Sequence, residues 1–296
     1  MVVHRRCRRA GRMAIRQRRF GQHRGDGVGN HQLGRLLLDA DPHRLVHDPR
    51  RPFRDAGDHP MMGHSHAVSG LLGWVVVSPV LVSQGWVPGE PAALAAGGVI
   101  AAGAGLLPDA DHPSASIARS LGPLTQGIAR IVSALSGGHR KWTHTIWFVL
   151  LVFAASFAAG KFLGEAVALI ITFFMAALAL DALHLKPNKH PVLWTVILSG
   201  AVTGIVAWMS PAGDYSWIAW PLALGTLAHL LGDLITPGGL PLLPWKGRFS
   251  LPILPSTGGF METRLLTPLM VLAVFVLVLV QYTPLGSVIG DVVASR

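Results

Sequence analysis

Cysteine and charged residues are both scarce in this chain, and each shortage excludes a class of protein. The 296 residues include a single cysteine, Cys7, so an intramolecular disulfide and a thiolate metal site are excluded. Charged residues make up 14% of the sequence and the mean hydropathy is +0.46. An ordinary soluble domain carries about 25% charged residues. The composition indicates a membrane protein, in which any metal ion needs histidine or carboxylate ligands.

Lysine and long apolar runs are absent from residues 1–60. This segment holds 14 Arg and six Asp, and so carries +8 of the formal net charge of +10. It has no apolar core of about 7–15 residues, which a secretory signal requires. We expect either a disordered basic tail or translated sequence ahead of a natural start at Met61 or Met62. No helix-turn-helix or zinc-finger spacing occurs, so no nucleic-acid partner is expected.

Residues 61–296 contain seven apolar segments that are candidates for membrane helices, since a span needs roughly 17–25 residues. They are 67–86, 92–107, 145–161, 165–185, 192–210, 217–235 and 265–283. The second is short and rich in Gly and Ala, which favours close packing at the centre of a bundle. The predicted fold is an all-α, multi-pass transmembrane bundle of about six or seven helices.

Basic residues predict how this bundle is oriented. If the first helix starts in the cytoplasm, the segments 108–144, 186–191 and 236–264 are cytoplasmic. They hold nine Lys and Arg, against two in the outside segments. This asymmetry follows the positive-inside rule.

Histidine and acidic residues gather at the predicted cytoplasmic ends of the helices. Those that lie in or against apolar segments are His64, His66, Asp109, Asp111, His112, His139, His144, Asp181, His184, His229, Asp233 and Glu262. His229 and Asp233 are four residues apart, so they share a helical face. Imidazole and carboxylate together suit Zn²⁺, and also Mn²⁺ or Fe²⁺. Separate helices are thus predicted to deliver ligands to one polar site at one level of the membrane.

Four motifs in this set resemble those of a known family. GHSH, LLPDADHP, GHRKWTH and LAHLLGDLITPGGLPLLPWKGRFSLPIL are similar to segments of the membrane-bound metal-dependent hydrolases that include a LexA-regulated inner-membrane protein of enterobacteria. They cover about residues 62–145 and 220–268. The resemblance implies a hydrolase of the bacterial inner membrane that depends on a divalent cation, and it names no substrate. Asp181 and His184 lie in what looks like an insertion, outside the site that the resemblance implies.

The motifs and the resemblance together predict roles for individual residues. The predicted metal ligands are His66, Asp109, Asp111, His112, His144, His229 and Asp233. His139, Glu262 or a remaining carboxylate would take a proton from water at the metal, and Arg140 would stabilise developing negative charge.

Each of these assignments has an alternative. Arg140 is equally suited to anchor the chain at the cytoplasmic interface, and Thr143 is interpreted as the N-cap of the third helix. Asp181 and His184 are equally interpreted as a helix-end pair. The proline-rich segment 236–264 is predicted to form a lid over the polar site or to dip into the interface.

The predicted function is hydrolysis of an ester or phosphoester at the cytoplasmic face of the membrane. The predicted depth of the site favours an amphiphilic substrate. A divalent-cation transporter is an alternative, although transporter sites tend toward the midplane of the bilayer. A regulatory membrane protein with a structural metal is another, although structural zinc sites usually hold four ligands. The bilayer is the expected partner, and the sequence predicts no oligomeric state.

Overall fold

Apolar stretches of this length fold as helices because the bilayer core offers the backbone no hydrogen-bond partner. The computed structural model describes residues 63–112, 123–137, 141–187, 189–210, 214–241 and 247–282, and the segment 1–60 lies outside them. The described residues form eight α-helices: α1 Gly63–Ser83, α2 Pro91–Ala104, α3 Pro123–Ser136, α4 Ile146–Phe162, α5 Glu165–Ala182, α6 Pro191–Met209, α7 Ala219–Leu234 and α8 Thr267–Tyr282.

Shorter elements connect these helices. They are the 3₁₀ turns Pro108–Asp111, Trp142–His144 and Ser216–Ile218, the π-helical turn Met261–Leu266, and the strands β1 Leu240–Pro241 and β2 Arg248–Phe249. The two strands pair antiparallel and close the loop after α7 into a small hairpin. The loop is held at the end of α7, where the Leu251 and Leu254 N–H groups donate to the carbonyls of Leu234 and Ile235.

Seven of the eight helices coincide with the predicted spans, so the all-α membrane bundle is confirmed. In the part of the chain that the structure describes, five segments are long and apolar enough to cross a membrane: Gly63–Ser83, Pro91–Asp111, Glu165–Ala182, Pro191–Met209 and Met261–Tyr282. The other two predicted spans are the shorter helices α4, with 17 residues, and α7, with 16 residues.

The Gly- and Ala-rich helix α2 lies at the centre of the bundle, in agreement with its composition. It contacts α1, α5, α6 and α7, and its span is 72% buried. By contrast, the spans of α6 and α8 are 17% and 11% buried. Their exposed apolar side chains are suited to contact acyl chains rather than water.

The segment 108–144 was predicted as a cytoplasmic loop between two membrane helices, but it also contains regular structure. It contains α3, an amphipathic helix that packs against the 3₁₀ turn Pro108–Asp111. The apolar residues of α3 are too few for a membrane span, which is why a search for long apolar runs passes over it.

An exposed ion pair joins the end of α4 to the segment before α7. Lys161 Nζ, at the end of α4, lies 2.7 Å from Asp214 Oδ2, which precedes α7. This ammonium and the hydrogen bonds from Ser216 lower the pKa of Asp214 to about 2. Both side chains are about half exposed, so the pair contributes little to stability.

Candidate metal centre

Five side chains from four parts of the chain converge at one end of the bundle. His66 lies in the first turn of α1, and Asp109 lies in the 3₁₀ turn that follows α2. His144 ends the 3₁₀ turn before α4, and His229 and Asp233 lie one turn apart near the end of α7. The predicted gathering of histidine and carboxylate at a single level is therefore present.

The donor atoms of these five residues face one another across a small space. His144 Nε2 lies 3.5 Å from both Asp109 Oδ1 and Asp233 Oδ2. His229 Nε2 lies 3.8 Å from the same Asp109 oxygen and 3.7 Å from the same Asp233 oxygen. His66 Nε2 lies 3.7 Å from Asp233 Oδ1, and its ring stacks on that of His229 with centroids 3.7 Å apart. These separations exceed hydrogen-bond length.

Hydrogen bonds on the outer side of two imidazole rings fix which nitrogen faces the cluster. His229 Nδ1 lies 2.7 Å from the carbonyl oxygen of Gly105, which can only accept, so Nδ1 carries the proton and Nε2 carries a lone pair. His144 Nδ1 lies 3.0 Å from Thr143 Oγ1, and that hydroxyl donates to Asp111 Oδ2 at 2.6 Å. His144 Nδ1–H therefore donates to Thr143, and its Nε2 also presents a lone pair inward.

The facing nitrogens of His144 and His229 are consequently acceptors. Lone pairs of imidazole nitrogens point at carboxylate oxygens that also carry lone pairs. His66 Nδ1 and Nε2, Asp109 Oδ1 and His229 Nε2 are buried and make no hydrogen bond to any described residue. Buried polar atoms normally have a partner, because an unsatisfied one costs about 1–3 kcal/mol. A cation at the centre would satisfy one nitrogen of His66 together with Asp109 Oδ1 and His229 Nε2.

Two groups of three donors meet the spacing that a metal ion requires. They are His66, Asp109 and His229, and His144, His229 and Asp233, with the donor atoms of each group within 4.8 Å of one another. Burial lowers the pKa of His144 below its ordinary value, which keeps this imidazole in the neutral form that binds metals. The buried His/Asp cluster is thus able to hold a metal ion.

The histidine and acidic residues of the cluster differ from most others in the described residues because their side chains are buried. Within the described ranges, the fully or almost fully buried histidine and acidic side chains are His66, Asp109, Asp111, His144, His229, Asp233 and Glu262. All seven are predicted site residues. Buried ionisable groups at membrane depth are costly and mark functional sites.

Asp111 and His112 lie beside the cluster, but neither belongs to the two donor groups. Asp111 accepts the hydrogen bond of Thr143 and lies 3.8 Å from the outer nitrogen of His144, Nδ1. His112 is half-buried, and its backbone N–H donates to the Asp109 carbonyl. Their assignment as ligands stays a prediction, and the contacts of Asp111 favour a supporting position behind His144.

Glu262 is fully buried in the π-helical turn before α8, and its Oε2 accepts the backbone N–H of Gly258 at 2.7 Å. The same turn is tied to α1, because Thr267 Oγ1 donates to the Glu262 carbonyl and lies 2.9 Å from Ser65 Oγ. Ser65 is the neighbour of His66 in the chain. Glu262 is therefore anchored next to the start of α1, and its role as a proton acceptor stays a prediction.

The remaining predicted residues fall into two groups. His139 and Arg140 lie outside the described residues. Asp181 belongs to the end of α5, where it pairs with Lys186, and His184 follows that helix at a positive φ of 54°. Neither belongs to the donor groups, in agreement with the sequence analysis.

The interpretation of Thr143 as the N-cap of the third predicted helix is wrong. The residue at the N-cap position of α4 is Thr145, two residues later, and Thr143 lies inside the preceding 3₁₀ turn. Its hydroxyl joins His144 to Asp111 instead. A hydroxyl directly before a candidate histidine ligand, together with Asp111 as a second candidate carboxylate, was the signal that could have indicated this role. Histidines that bind metals usually donate their other N–H to a carboxylate, a carbonyl or water.

Comparison with known proteins places the chain in a family. Residues 61–288 match the YdjM inner membrane protein family. The inner membrane protein YdjM of Escherichia coli (strain K12) and that of Shigella flexneri are each 32% identical to the chain over 172 residues. The match covers 57% of this chain and 61% of each relative. No solved structure matches. The chain therefore belongs to the YdjM inner membrane protein family, and is a multi-pass protein of the inner membrane.

Proposed function

We propose that the protein is a membrane-embedded, divalent-metal-dependent hydrolase whose site lies at the cytoplasmic interface. The observation that carries the proposal is the convergence of buried imidazole and carboxylate groups into two sets of three donor atoms, each set within 4.8 Å. His66, His144, His229, Asp109 and Asp233 would hold the ion. The orientation rests on the excess of Lys and Arg in the segments at the same end of the helices.

The spacing of the donors supports a single ion. Metal–ligand bonds of about 2.0–2.2 Å place neighbouring tetrahedral ligands about 3.3–3.6 Å apart. The nitrogen–oxygen separations in the cluster are 3.5–3.8 Å, so a small inward shift would close either donor group around one ion. Three imidazoles and two carboxylates suit Zn²⁺ best, with Mn²⁺ and Fe²⁺ as further candidates.

The chain's own groups would divide the work of hydrolysis. A bound divalent ion supplies a Lewis acid and lowers the pKa of water that it coordinates. Glu262 or His139 would accept a proton, and Arg140 would stabilise negative charge on the substrate. Thr143 and Asp111 would hold His144 in the tautomer that faces the ion. The position of the cluster at the helix ends favours an ester or phosphoester that is present at the interface.

The transporter alternative is less well supported. A cation path needs polar groups that continue across the bilayer. In the ranges that the structure describes, the buried acidic and histidine side chains are confined to the cluster and its supports. A purely structural metal is also less well supported, because five donors exceed the four of a closed zinc site.

We expect the purified protein to bind about one divalent ion per chain and to hydrolyse a soluble phosphoester or carboxyl ester only when metal is present. The measurement is metal content, followed by turnover of p-nitrophenyl phosphate and p-nitrophenyl acetate before and after chelation and after restoring Zn²⁺ or Mn²⁺. Asp109→Asn should lose turnover. Asp181→Asn, an acidic residue outside the cluster, should retain it. Bound metal without turnover, together with cation flux into liposomes, would instead identify a transporter.

Thr143 offers a test of the supporting hydrogen bonds. Thr143→Val keeps the shape of the side chain but removes the hydroxyl that accepts from His144 and donates to Asp111. We expect metal affinity to fall by about 10–100-fold, as for other groups that orient a ligand. Thr143→Ser should restore most of it. Chelator competition gives the affinities, and Thr145→Val is the matched control, because the Thr145 hydroxyl donates to the Trp142 carbonyl instead. Unchanged affinity in Thr143→Val would remove this role.

A further inference from the structure

Helix α3 has three distinct sides, and one of them lies against the candidate metal centre. Thr125, Ala129 and Ser136 are buried, and α3 packs against the 3₁₀ turn that carries Asp109. With about 100° between successive residues, these three positions fall within about 40° of one another around the helix. This side fixes α3 at the end of the bundle.

A second side of α3 is apolar and exposed. Ile131 is 61% exposed and Leu135 is 80% exposed. They are four residues apart and so form one stripe. Gln126 and Arg130, also four apart and exposed, form a third, polar side about 140° around the helix. A helix with separate apolar and polar sides of this kind is typical of one that lies in the plane of a membrane surface.

The surroundings of α3 indicate that acyl chains cover its apolar stripe. The 3₁₀ turn Trp142–His144 packs on the same turn as α3 and leads directly into α4. The first turns of α4 expose Ile146, Trp147 and Leu150, each to about half of its surface. Helix α3 and the turn that leads into this lipid-facing helix thus pack on the same element. Arg130 on the polar side is suited to contact anionic headgroups.

Asp109, in the turn that α3 contacts, is the least buried of the five donors. The Asp109 side chain is 11% exposed, whereas those of His66, His144, His229 and Asp233 are at most 1% exposed. Asp109 is therefore the donor nearest the surface, and the side of the cluster at Asp109 is the shortest opening for a substrate. Since α3 packs on the turn that holds Asp109, it stands beside this opening.

We propose that α3 lies in the cytoplasmic lipid–water interface, with Ile131 and Leu135 among the acyl chains, and forms one wall of the opening at Asp109. The substrate class is then an amphiphile of the inner leaflet whose ester or phosphoester group reaches the metal while its acyl part stays in the bilayer. The position of α3 stands on its own contacts and exposure. The substrate class rests on the proposed hydrolase function.

The position of α3 is tested with a nitroxide label. Since Cys7 is the single cysteine of the chain, Cys7→Ser gives a cysteine-free background. Labels are placed at Leu135→Cys and, as the matched control, at Gln126→Cys, in vesicles of phosphatidylethanolamine and phosphatidylglycerol. We expect the label at 135 to collide with oxygen more often than with a water-soluble nickel chelate, and the label at 126 to show the reverse. Equal exposure of both labels to the chelate, or shielding of position 135 from both reagents, would overturn the proposal.

The substrate class is tested with Ile131→Ser/Leu135→Ser. We expect kcat/KM for phosphatidic acid in vesicles to fall by roughly tenfold, because two aliphatic side chains leave the acyl region. Turnover of p-nitrophenyl phosphate in detergent should stay unchanged, since neither residue touches the cluster. Equal losses on both substrates, or no loss on either, would contradict an opening toward the leaflet. Absence of turnover on both substrates in the unaltered protein would overturn the hydrolase function, while the label data still decide the position of α3.

Discussion

Replacing His229 with alanine is expected to lower metal affinity by more than about 100-fold and to abolish metal-dependent turnover. Groups that only orient a ligand already contribute about 10–100-fold, so a ligand should contribute more. His229 belongs to both donor groups, and its Nε2 faces Asp109 and Asp233 at 3.8 and 3.7 Å. The bond from its Nδ1 to the Gly105 carbonyl holds the ring in place before any ion arrives. Its removal therefore takes away the best-positioned ligand.

The measurement is metal content after gel filtration together with chelator competition. Asp233→Asn is a second variant that changes charge with almost no change in volume, so that lost binding is not confused with misfolding. His184→Asn is the matched control. His184 also follows a helix on the predicted cytoplasmic side, and asparagine tolerates its positive φ. A His229→Ala protein that retains one ion per chain at normal affinity would show that the cluster is not the metal site.

Much of the bundle could be predicted because membrane helices are set by length and hydropathy. The predicted starts of the spans after Gly164 and His190 agree with the observed α5 and α6 to within one residue. α3 could not be found in this way, because its exposed apolar stripe of Ile131 and Leu135 is too narrow to raise the hydropathy of a long window. Only a search for the 3.6-residue period finds such a helix.

The convergence of the site could also be predicted, because helix ends at one membrane surface necessarily lie at similar depth. Which residues face the other donors and which support them from behind could not be predicted. Asp109 and Asp111 belong to one short turn with the same motif, yet one faces the other donors and the other accepts from Thr143. The choice depends on the rotation of the 3₁₀ turn and on a helix start displaced by two residues, from Thr143 to Thr145. Neither the rotation of the turn nor the exact start of the helix can be predicted from the spacing of residues in the sequence.

The second large effect is expected from a methyl group at Gly225. A Cβ at this position of α7 would lie 2.1 Å from the carbonyl oxygen of Ala101 and 2.8 Å from Cβ of Ala104, both in α2. Contacts below about 3 Å between a Cβ and a helix backbone cannot be relieved by a change of rotamer. Gly70 of α1 approaches the same oxygen, with its Cβ position at 2.4 Å. Three helices therefore meet at Ala101, and small residues are what allows it.

The close contact of α7 with α2 at Ala101 also sets the position of the His229 ring in the metal centre. His229 lies one turn after Gly225, and its Nδ1 hydrogen bond ends on Gly105, one turn after Ala101. A methyl group that pushes α7 away from α2 must lengthen this bond and displace the His229 ring. We therefore expect Gly225→Ala to destabilise the protein by about 1–3 kcal/mol or more. We also expect it to weaken metal binding, although residue 225 touches no ligand.

Two alanine variants separate this effect from the ordinary consequences of removing glycine from a helix. A Cβ at Gly73 of α1 would find its nearest neighbour at 3.8 Å, and one at Gly204 of α6 would find nothing within 4 Å. Both should be neutral or stabilising by up to about 1 kcal/mol, because alanine is the better helix former. Thermal unfolding in detergent and chelator competition on all three variants give the comparison. Since Gly73 lies one turn from Gly70 on the same helix, a loss of stability in Gly225→Ala but not in Gly73→Ala assigns the cost to close approach at Ala101. If Gly225→Ala unfolds at the temperature of the unaltered protein, α7 is not held against α2 at this distance, and the hydrogen bond that orients His229 loses its structural support.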